Sequence, residues 1–560
     1  MKIGMLQLNL TVGDVAGNAK KILEGYRELC RQGAELVVTS ELALLGYPIK
    51  DLIFNDEIID EQNRELDLIR SDVGDVGLII GVAERAEGCG KPFCNSAYFL
   101  HNREVIFIQQ KYLLPMYDVF DEARYFEPNP GITPTLIKYK GKRIAILICE
   151  DIWGNDEMAN GLYEYDPIVA LKKVYPDLLV TLNASPYYLG KEIVREKLIE
   201  NISSDLGCPV VYVNQIGGND ELVFDGRSCV SDRKKSSIAY APAFSESKMI
   251  VDVDLLRKID IPCNNPDKNL LDTLVLGTRD YVRKSGFTKA VIALSGGIDS
   301  AVTAAIACLA LGPENVMGVA LPSQFSSQGS IDDAELLAKN LGIRFHTISI
   351  SGIYDAFGDA LKKEINWYIP GTIPGDATEE NVQARTRGAI MMAISNRLGA
   401  ILLTTGNKSE VSVGYCTLYG DMAGGFAVIS DLYKGKVYKL ANFINREKEI
   451  IPYNTINKAP SAELRPDQKD EDSLPPYDVL DEILEAYIEK GWSIKRIIDT
   501  RLLDKESREF TRKIADEETV RKIINMVNRS EYKRQQMPPG LKVTKKAFGS
   551  GRRMPIAAKY

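Results

Sequence analysis

The 560-residue sequence predicts an α/β protein built from two unlike halves. From residue 1 to about 250, short runs rich in Val, Ile and Leu alternate with helical segments, which indicates layered sheets with helices outside. From residue 272 onward, strand and helix alternate strictly, which predicts a doubly wound parallel sheet. At ~100–200 residues per domain, a chain of this length needs more than one hydrophobic core.

The segment 251–271 separates the two halves. It includes KIDIPCNNPDKN, whose density of Pro, Asn and charge is typical of a connector. We therefore predict domains at 1–250 and 272–560, joined by this linker. A doubly wound sheet binds its ligands beyond the carboxyl ends of the strands, so the loops that follow strands should carry the chemistry of the second domain.

Composition and charge point to small-molecule chemistry. With 45% hydrophobic residues, 26% charged residues and a net charge of −8, the chain is expected to bind small molecules, with no nucleic acid and no membrane. The first residues lack the pattern of a secretory signal, and no run reaches the ~18 apolar residues of a membrane helix. Nine cysteines without paired CxxC spacing suit a reducing compartment, so the expected location is cytoplasmic. Because large multi-site enzymes often assemble symmetrically, we expect a homo-oligomer.

Histidine is scarce, which limits the possible nucleophilic mechanisms. The chain has only His101 and His346, so a nucleophile has to take its base from Glu or Lys. Three polar residues directly follow apolar runs in the first half, namely Glu41, Lys111 and Cys149. Side chains at strand ends can converge on one pocket, although each of these residue types alone is more often a core cysteine or a surface charge.

The segments around these three residues carry a family resemblance. SELALLGYP, KYLLPMYDVFDEARYF and ICEDIW occur in that order, and residues 1–250 resemble the nitrilase-type amidase superfamily. The resemblance implies an α-β-β-α sandwich with a catalytic triad of Glu41, Lys111 and Cys149. We expect Lys111 to lower the thiol pKa from its free value near ~8.5, and Glu41 to act as base and acid. The longer motif, LPMYDVFDEARYF followed by NASP, is similar to that of the glutaminase modules fused to NAD synthetases. That similarity implies glutamine contacts with Tyr117, Ser185 and Lys191.

The sequence ALSGGIDS is the most specific signal in the second half. An apolar strand leads into two glycines flanked by serines, and an Ala-rich helix follows. Inward-pointing N–H groups, hydroxyl donors and the helix dipole together favour anionic oxygens, although a Gly-Gly turn with an Asp cap fits many strand-to-helix junctions. The hexapeptide resembles the pyrophosphate loop of N-type ATP pyrophosphatases, which have an adenine nucleotide alpha hydrolase-like fold. The resemblance implies ATP contacts with Ser295, Gly296, Gly297, Ile298, Asp299 and Ser300.

Later motifs resemble those of the NAD synthetases within this class. They are EENVQARTRG, TTGNKSE, VGYCTLYGDMAGG, DLYKGKVYKLA and PSAELRPDQKDEDSLPP. The resemblance implies that Asp299 and Glu410 hold Mg²⁺, which prefers oxygen ligands and phosphates. It also implies ATP contacts with Thr405 and Lys434. For deamido-NAD it implies contacts with Asn381, Arg385, Tyr415 and Lys533.

Three further segments have open interpretations. The acidic, Pro-bounded segment within 460–476 is either a mobile lid or a plain surface loop. The basic tail, NRSEYKRQQMPPGLKVTKKAFGSGRRMP, is expected to face phosphates or a neighbouring subunit rather than nucleic acid. In the motif LPSQFSS, Gln324 occupies the position at which the family motif has Arg. The resemblance therefore does not extend to the adenine or phosphate contacts of that loop.

The combined resemblance covers nearly the whole chain and implies the reaction of the glutamine-dependent NAD synthetase family. Glutamine hydrolysis would supply ammonia, ATP would adenylate deamido-NAD with loss of pyrophosphate, and ammonia would displace AMP in the last step of NAD biosynthesis. Two alternatives stay open. GMP and asparagine synthetases share the pyrophosphatase class but generally carry other glutaminase modules. A regulatory nucleotide-binding protein with inactive sites is disfavoured by the intact residues Glu41, Lys111, Cys149 and Asp299.

Overall fold

A computed structural model describes residues 1–131, 133–154, 161–232, 237–255, 265–365, 377–465, 468, 470–503 and 510–559. The chain divides into two compact units, Met1–Asn265 and Pro266–Tyr560. The predicted connector at 251–271 begins inside a strand and ends inside a helix. Its middle residues, 256–264, lie outside the described part of the chain.

The first unit is built on two six-stranded sheets. Its strands are β1 Lys2–Gln7, β2 Leu36–Val38, β3 Gly77–Arg85, β4 Phe93–His101, β5 Glu104–Gln110, β6 Ile137–Tyr139, β7 Lys142–Ile148, β8 Leu178–Asn183, β9 Val210–Asn214, β10 Ile216–Asn219, β11 Leu222–Asp225, β12 Cys229–Asp232, β13 Ser237–Tyr240 and β14 Ser247–Asp252. Its helices are α1 Val15–Arg31, α2 Asp56–Asp72, α3 Pro167–Leu171 and α4 Lys191–Leu206. The strand orders are β14-β1-β2-β3-β4-β5 and β13-β12-β9-β8-β7-β6, and β10 pairs with β11.

Alternating side chains explain how the two sheets stack. In β2, Leu36 lies in the core between the sheets, whereas its neighbour Val37 packs with apolar residues of α1 and α2. In β7, Ile146 lies in the same central core, whereas Leu147 packs with residues of α3 and α4. A strand covered on both faces needs a continuous apolar run, which is why these segments lack a period-2 pattern. The layers confirm the predicted α-β-β-α sandwich.

The second unit is built on one five-stranded parallel sheet with the order β17-β16-β15-β18-β19. The strands of this sheet are β15 Ala290–Ala293, β16 Val316–Ala320, β17 Arg344–Thr347, β18 Ile401–Thr404 and β19 Phe426–Ala427. A separate two-stranded sheet pairs β20 Arg501–Leu503 with β21 Phe510–Lys513. In the same unit, helices surround the strands. Its helices are α5 Pro266–Lys284, α6 Ile298–Leu311, α7 Gln328–Leu341, α8 Ser351–Ile365, α9 Thr378–Leu398, α10 Lys408–Val413, α11 Lys434–Ile444, α12 Tyr453–Asn457, α13 Tyr477–Leu484, α14 Ile494–Asp499, α15 Glu517–Arg529 and α16 Glu531–Arg534.

The strand order of this sheet places a switch point between β15 and β18. From β15 the chain adds β16 and β17 on one side, and then β18 and β19 on the other. Loops that leave neighbouring strands in opposite directions open a crevice at the carboxyl edge, where ligands bind in such folds. The loops at this crevice carry SGGIDS and TTGNKSE. The doubly wound parallel sheet predicted from the sequence is confirmed.

The Ala-rich helix α6 is a core element of the second unit. It packs against α5 and α11, and small side chains such as Ala304 and Ala307 are fully buried, which allows the helices to approach closely. At 14 residues it is shorter than the ~20 residues that a bilayer crossing requires. Across the described ranges, no helix, α6 included, combines the length and apolar character needed for such a crossing.

We expect the buried ion pair between Arg195 of α4 and Asp225 of β11 to support the first unit. The two side chains are almost fully buried, with Nη2 2.9 Å from Oδ1 and Nη1 3.2 Å from Oδ2. Arg195→Ala should lower the free energy of unfolding by about 3–5 kcal/mol, because the Asp225 carboxylate loses its main partner. Chemical denaturation measures this change. The exposed pair Arg27–Asp72 is the control, since Arg27→Ala should cost at most about 1 kcal/mol. Equal losses in the two variants would contradict the expectation.

Candidate active sites

The first site lies where strands of both sheets end. Glu41 follows β2, Lys111 follows β5 and Cys149 follows β7. Lys111 Nζ and Asn95 Nδ2 each donate to Glu41 Oε1 at 2.7 Å, and the N–H of Ala184 donates to Glu41 Oε2 at 3.1 Å. The charges of Glu41 and Lys111 both act on the Cys149 thiol. The structure thus brings the three residues of the predicted triad together in a buried site.

Cys149 sits on a strained turn. It opens the 3₁₀ turn Cys149–Ile152 with a φ of 42°, a left-handed conformation that residues other than glycine rarely adopt. The carboxylate of Asp151 holds this turn by accepting the N–H of Ile148 at 2.9 Å. The same carboxylate accepts two N–H groups at 2.9 Å from the segment directly after Lys111. Asp151 therefore fixes the nucleophile turn relative to the lysine.

A second carboxylate, Glu122, contacts Lys111 and was not singled out from the sequence. Lys111 Nζ donates to its two oxygens at 2.9 and 2.8 Å, and the Tyr47 hydroxyl donates to Oε1 at 2.8 Å. Burial opposes the charge of Lys111, but Glu122 and Glu41 outweigh burial and raise the ammonium pKa well above its usual value. Burial also raises the pKa of Glu122 to about 7. The signal was available, because Glu122 lies 11 residues after Lys111 in KYLLPMYDVFDEARYF.

The protonation of Cys149 differs from the expectation. Burial raises the pKa of the thiol well above its ordinary value, Glu41 adds to the increase, and Lys111 opposes it. The expectation that Lys111 brings this pKa toward neutrality is therefore wrong for the free site. The cause is that desolvation of the thiolate and repulsion by the nearby carboxylates outweigh one ammonium group. The thiol keeps its proton until a base removes it.

Glu150, directly after Cys149, contacts one of the predicted glutamine-binding residues, Tyr117. The Tyr117 hydroxyl donates to Glu150 Oε1 at 3.0 Å, and the Tyr163 hydroxyl donates to the same atom at 2.9 Å. Burial raises the pKa of this carboxyl, and the charge of Lys191 is among the groups that oppose the increase. Glu150 was not predicted as a site residue, although the motif ICEDIW places this acidic residue directly after Cys149. The structure shows that it is buried.

The other two predicted glutamine contacts lie near the same turn. Ser185 follows β8, and its N–H donates to Asn214 Oδ1 at 3.0 Å. Lys191 opens α4 and places its ammonium 3.6 Å from the ring centroid of Trp153, which is a cation–π contact. Because Trp153 directly follows the Cys149–Ile152 turn, this contact holds Lys191 against the end of that turn. The glutamine-binding roles themselves stay predictions.

The second site is a cavity of about 490 Å³ at the carboxyl ends of β15, β16 and β18. The loop after β15 contributes Ser295, Gly297, Ile298 and Asp299 to its wall. Ser300 turns its hydroxyl back into the loop and donates to Gly297 O at 2.9 Å. Gly296 has a φ of 75°, and an added Cβ there would lie 2.2 Å from the carbonyl oxygen of Ser330. The loop therefore needs glycine at this position for two separate reasons.

Two carboxylates of this cavity converge on one buried lysine. Lys434 Nζ donates to Asp299 Oδ2 at 2.5 Å and to Glu410 Oε1 at 3.0 Å. Burial opposes the charge of Lys434, but the two carboxylates raise its pKa above the usual value, while burial raises the pKa of Glu410 to about 7. A pair of carboxylates beside a phosphate loop is a donor set that fits Mg²⁺, which commonly takes one or two carboxylates plus phosphate oxygens. The described residues contain no cluster of three or more ligating side chains, so substrate oxygens and water would complete such a site.

A second buried lysine, Lys408, lies close to Glu410 of the cavity wall in sequence and was not predicted. Lys408 lies two positions before Glu410 and is fully buried. Its Nζ is 2.9 Å from Asp431 Oδ1, 3.0 Å from Glu489 Oε1 and 2.7 Å from Thr544 Oγ1. Because Asp431 lies three positions before Lys434, this network ties the segments that carry Glu410 and Lys434 to the C-terminal segment.

The structure separates the predicted dinucleotide contacts into two groups. Arg385 is exposed, lies outside the cavity wall, and donates from Nε to Leu418 O at 3.2 Å. Arg387, which was not among the predicted contacts, lines the cavity instead. Gln324 is exposed and also lies outside the wall. Besides the loop residues named above, the predicted dinucleotide and ATP contacts that line the cavity are Asn381, Thr405, Tyr415, Lys434 and Lys533.

The predicted lid segment contributes to the same wall. Residues 461–464 line the cavity, whereas residues 466, 467 and 469 lie outside the described part of the chain. Glu463 accepts hydrogen bonds from the hydroxyls of Ser327 at 2.9 Å and Ser330 at 2.7 Å. Since Ser327 caps α7, the segment is held at the N-terminus of that helix.

Comparison with known proteins connects both sites to one family. The family model for carbon-nitrogen hydrolases matches residues 2–259, and the model for NAD synthases matches residues 270–537. The glutamine-dependent NAD(+) synthetase of Synechocystis sp. is 43% identical over 100% of this chain and 99% of its own length. The enzyme of that name from Acinetobacter baylyi is 39% identical over 99% and 98%. A solved glutamine-dependent NAD+ synthetase from Acinetobacter baumannii, in complex with ADP, is 37% identical with a TM-score of 0.75 over 99% and 98% of the two chains.

Fold, sites and family models together define the class, which is a carbon-nitrogen hydrolase unit joined to an NAD synthase unit. The similarity to the named relatives spans the whole chain at identities near 40%. This chain belongs to the glutamine-dependent NAD(+) synthetase family.

We expect the raised thiol pKa of Cys149 to be visible in its alkylation. In the absence of glutamine, the rate of reaction with iodoacetamide should still increase above pH 9, because the thiolate fraction is still growing there. Mass spectrometry of the Cys149 peptide measures the rate, and exposed Cys89 in the same sample reports the reactivity of the reagent. A rate at Cys149 that levels off below pH 8 would contradict the prediction.

We expect Gly296→Ala to weaken ATP binding by roughly 10-fold or more, since a strained φ costs about 1–3 kcal/mol before any clash is counted. Isothermal titration with ATP measures the effect. Gly342→Ala is a matched control, because Gly342 also has a positive φ (71°) but an added Cβ there meets nothing within 4 Å. Similar ATP affinities for the two variants would show that the contact with Ser330 has no bearing on the loop.

Proposed function

We propose that this chain hydrolyses glutamine at Cys149 and uses the ammonia to convert deamido-NAD to NAD at the expense of ATP. One combination of observations carries the proposal. The Glu41–Lys111 pair beside Cys149 and the 295–300 loop beside Asp299, Lys434 and Glu410 occur in a chain related end to end to glutamine-dependent NAD(+) synthetases.

At the first site, the sulfur of Cys149 attacks the carboxamide carbon of glutamine while Glu41 accepts the thiol proton. Lys111 and the N–H after Cys149 stabilise the oxyanion. Glu41 passes the proton to the leaving nitrogen and then activates the water that hydrolyses the thioester. The raised thiol pKa supports this role, because a protonated thiol needs a base. The carboxylate of Glu150 attracts the α-ammonium group of glutamine. The rest of the substrate is assigned to Tyr117, Ser185 and Lys191.

At the second site, the nicotinate carboxylate attacks the α-phosphorus of ATP, pyrophosphate leaves, and ammonia then displaces AMP. N–H and hydroxyl groups of the loop at 295–300 hold the pyrophosphate oxygens, and Lys434 adds a positive charge. Asp299 and Glu410 would hold Mg²⁺, which neutralises phosphate charge when bound. Thr405 is a further ATP contact. The dinucleotide is assigned to Asn381, Arg385, Tyr415 and Lys533. Assembly as a homo-oligomer and a cytoplasmic location stay predictions.

We expect the two sites to be separable by mutation. Cys149→Ala should reduce glutamine-supported NAD synthesis by about 10³-fold or more, because the nucleophile is lost, yet it should retain synthesis from ammonium chloride. Asp299→Asn should reduce synthesis from either nitrogen source by at least about 100-fold, because charge stabilisation at the phosphates is lost. Formation of NAD from deamido-NAD, measured by chromatography with each nitrogen source, tests both expectations.

Two results would contradict the assignment of the sites. Full glutamine-supported activity in Cys149→Ala would remove the nucleophile from the first site. Loss of ammonium-supported activity in the same variant, with an unchanged unfolding midpoint, would show that the two chemistries share residues. Replacing deamido-NAD with xanthylate tests the alternative synthetase, and only deamido-NAD should be amidated.

A further inference from the structure

The wall of the 490 Å³ cavity contains a guanidinium that the reaction above does not use. Arg387 lies on α9, on the helix face that also carries Ala384, Gly388 and Met391 into the cavity wall. Its Nε donates to the carbonyl oxygen of Leu321, directly after β16, at 2.9 Å. Within the described ranges this is the one hydrogen bond that the Arg387 side chain makes to protein, so both Nη groups are available to a ligand.

The electrostatic surroundings of Arg387 favour an anion. No carboxylate in the described part of the chain forms an ion pair with it. Burial lowers its pKa to about 10, and the charge that opposes this decrease is that of Glu463. The Glu463 carboxylate is already engaged by the hydroxyls of Ser327 and Ser330 at 2.9 and 2.7 Å. A partly buried cation without a paired anion is unfavourable, and an anionic ligand in the cavity would relieve that cost.

The position of Arg387 on its helix sets it apart from Arg385. At ~100° per residue, two positions correspond to about 200° around the helix axis, so the two arginines lie on opposite sides of α9. Arg385 is exposed and Arg387 lines the cavity. The planar fork of a guanidinium matches the paired oxygens of a phosphate or a carboxylate, and phosphates are the more numerous anions of the nucleotide substrates.

We propose that Arg387 binds a phosphate group of a nucleotide substrate through its two Nη groups. The identity of the nucleotide rests on the proposed function. Two sources share this chemistry, namely the triphosphate of ATP and the diphosphate of deamido-NAD. The Nε bond to Leu321 holds the guanidinium plane in place, so the residue acts as a fixed fork rather than a mobile charge.

The variant Arg387→Gln of the full-length enzyme tests the proposal. Isothermal titration measures its affinity for ATP, for deamido-NAD and for adenosine in separate experiments. We expect the affinity for one of the two nucleotides to fall roughly 10- to 100-fold, because a charge-assisted hydrogen bond is lost, while adenosine binding is unchanged. The nucleotide that loses affinity identifies the phosphate source. If it is deamido-NAD, an equal loss for NAD, which lacks the nicotinate carboxylate, assigns the contact to the diphosphate, and an unchanged affinity for NAD overturns the phosphate assignment. Arg387→Lys keeps the charge but not the fork, so its loss should be intermediate.

Arg397→Gln is the control, because it removes an exposed guanidinium from the last turn of the same helix. If Arg387→Gln matches this control for both nucleotides, the proposal is overturned. It is also overturned if adenosine loses as much affinity as the nucleotides, since the arginine would then shape the pocket rather than bind phosphate. An unfolding midpoint equal to that of the wild-type enzyme shows that Arg387→Gln is folded. If Arg387→Gln does not fold, the same comparison of affinities is made with Arg387→Lys. Failure of the wild-type enzyme to bind either nucleotide would instead count against the proposed function.

Discussion

Each candidate site is organised around a buried lysine held by two carboxylates. Lys111 lies between Glu41 and Glu122, and Lys434 lies between Asp299 and Glu410. A buried ammonium is stable only when its charge is compensated. In each cluster one carboxyl, Glu122 or Glu410, has a pKa raised to about 7, so the cluster carries a net negative charge once that carboxyl is ionised. The raised pKa values of the two lysines mean that both stay charged, so each serves as a fixed electrostatic element rather than a proton donor.

The excess negative charge has different consequences in the two sites. Around Cys149 it works together with burial to keep the thiol protonated, so attack has to be coupled to proton transfer to a carboxylate. Around Lys434 it makes the crevice receptive to a divalent cation, which the phosphate loop alone would not be. One arrangement of charges therefore favours acid-base chemistry in the first unit and cation-assisted phosphate chemistry in the second.

Strand ends account for most of what could be predicted about these sites. Glu41, Lys111 and Cys149 each follow an apolar strand, and the ends of these strands meet at one site, although β5 pairs antiparallel with β4 and β7 belongs to the other sheet. Strand ends also located the loop at 295–300, whereas Glu410 was predicted only from the family resemblance. Reasoning from strand ends failed for Glu122, which lies on a 3₁₀ turn between strands, and for Arg387, which lies in the middle of a helix. Neither position follows a strand, so strand ends point to neither residue, although Glu122 does lie within the same motif as Lys111.

The sequence by itself determined the two architectures, since continuous apolar runs and strict strand-helix alternation dictate which faces must be covered. It also determined the phosphate loop, because its glycines and hydroxyls act through local backbone geometry. Only the tertiary structure decided the protonation of Cys149, the pairing of Glu122 with Lys111 and the separation of Arg385 from Arg387. Those properties depend on burial and on charges that are distant along the chain, as for Asp299 and Lys434, which are 135 positions apart. Local patterns specify backbone geometry, whereas electrostatic properties arise only when packing brings such charges together and removes water from around them.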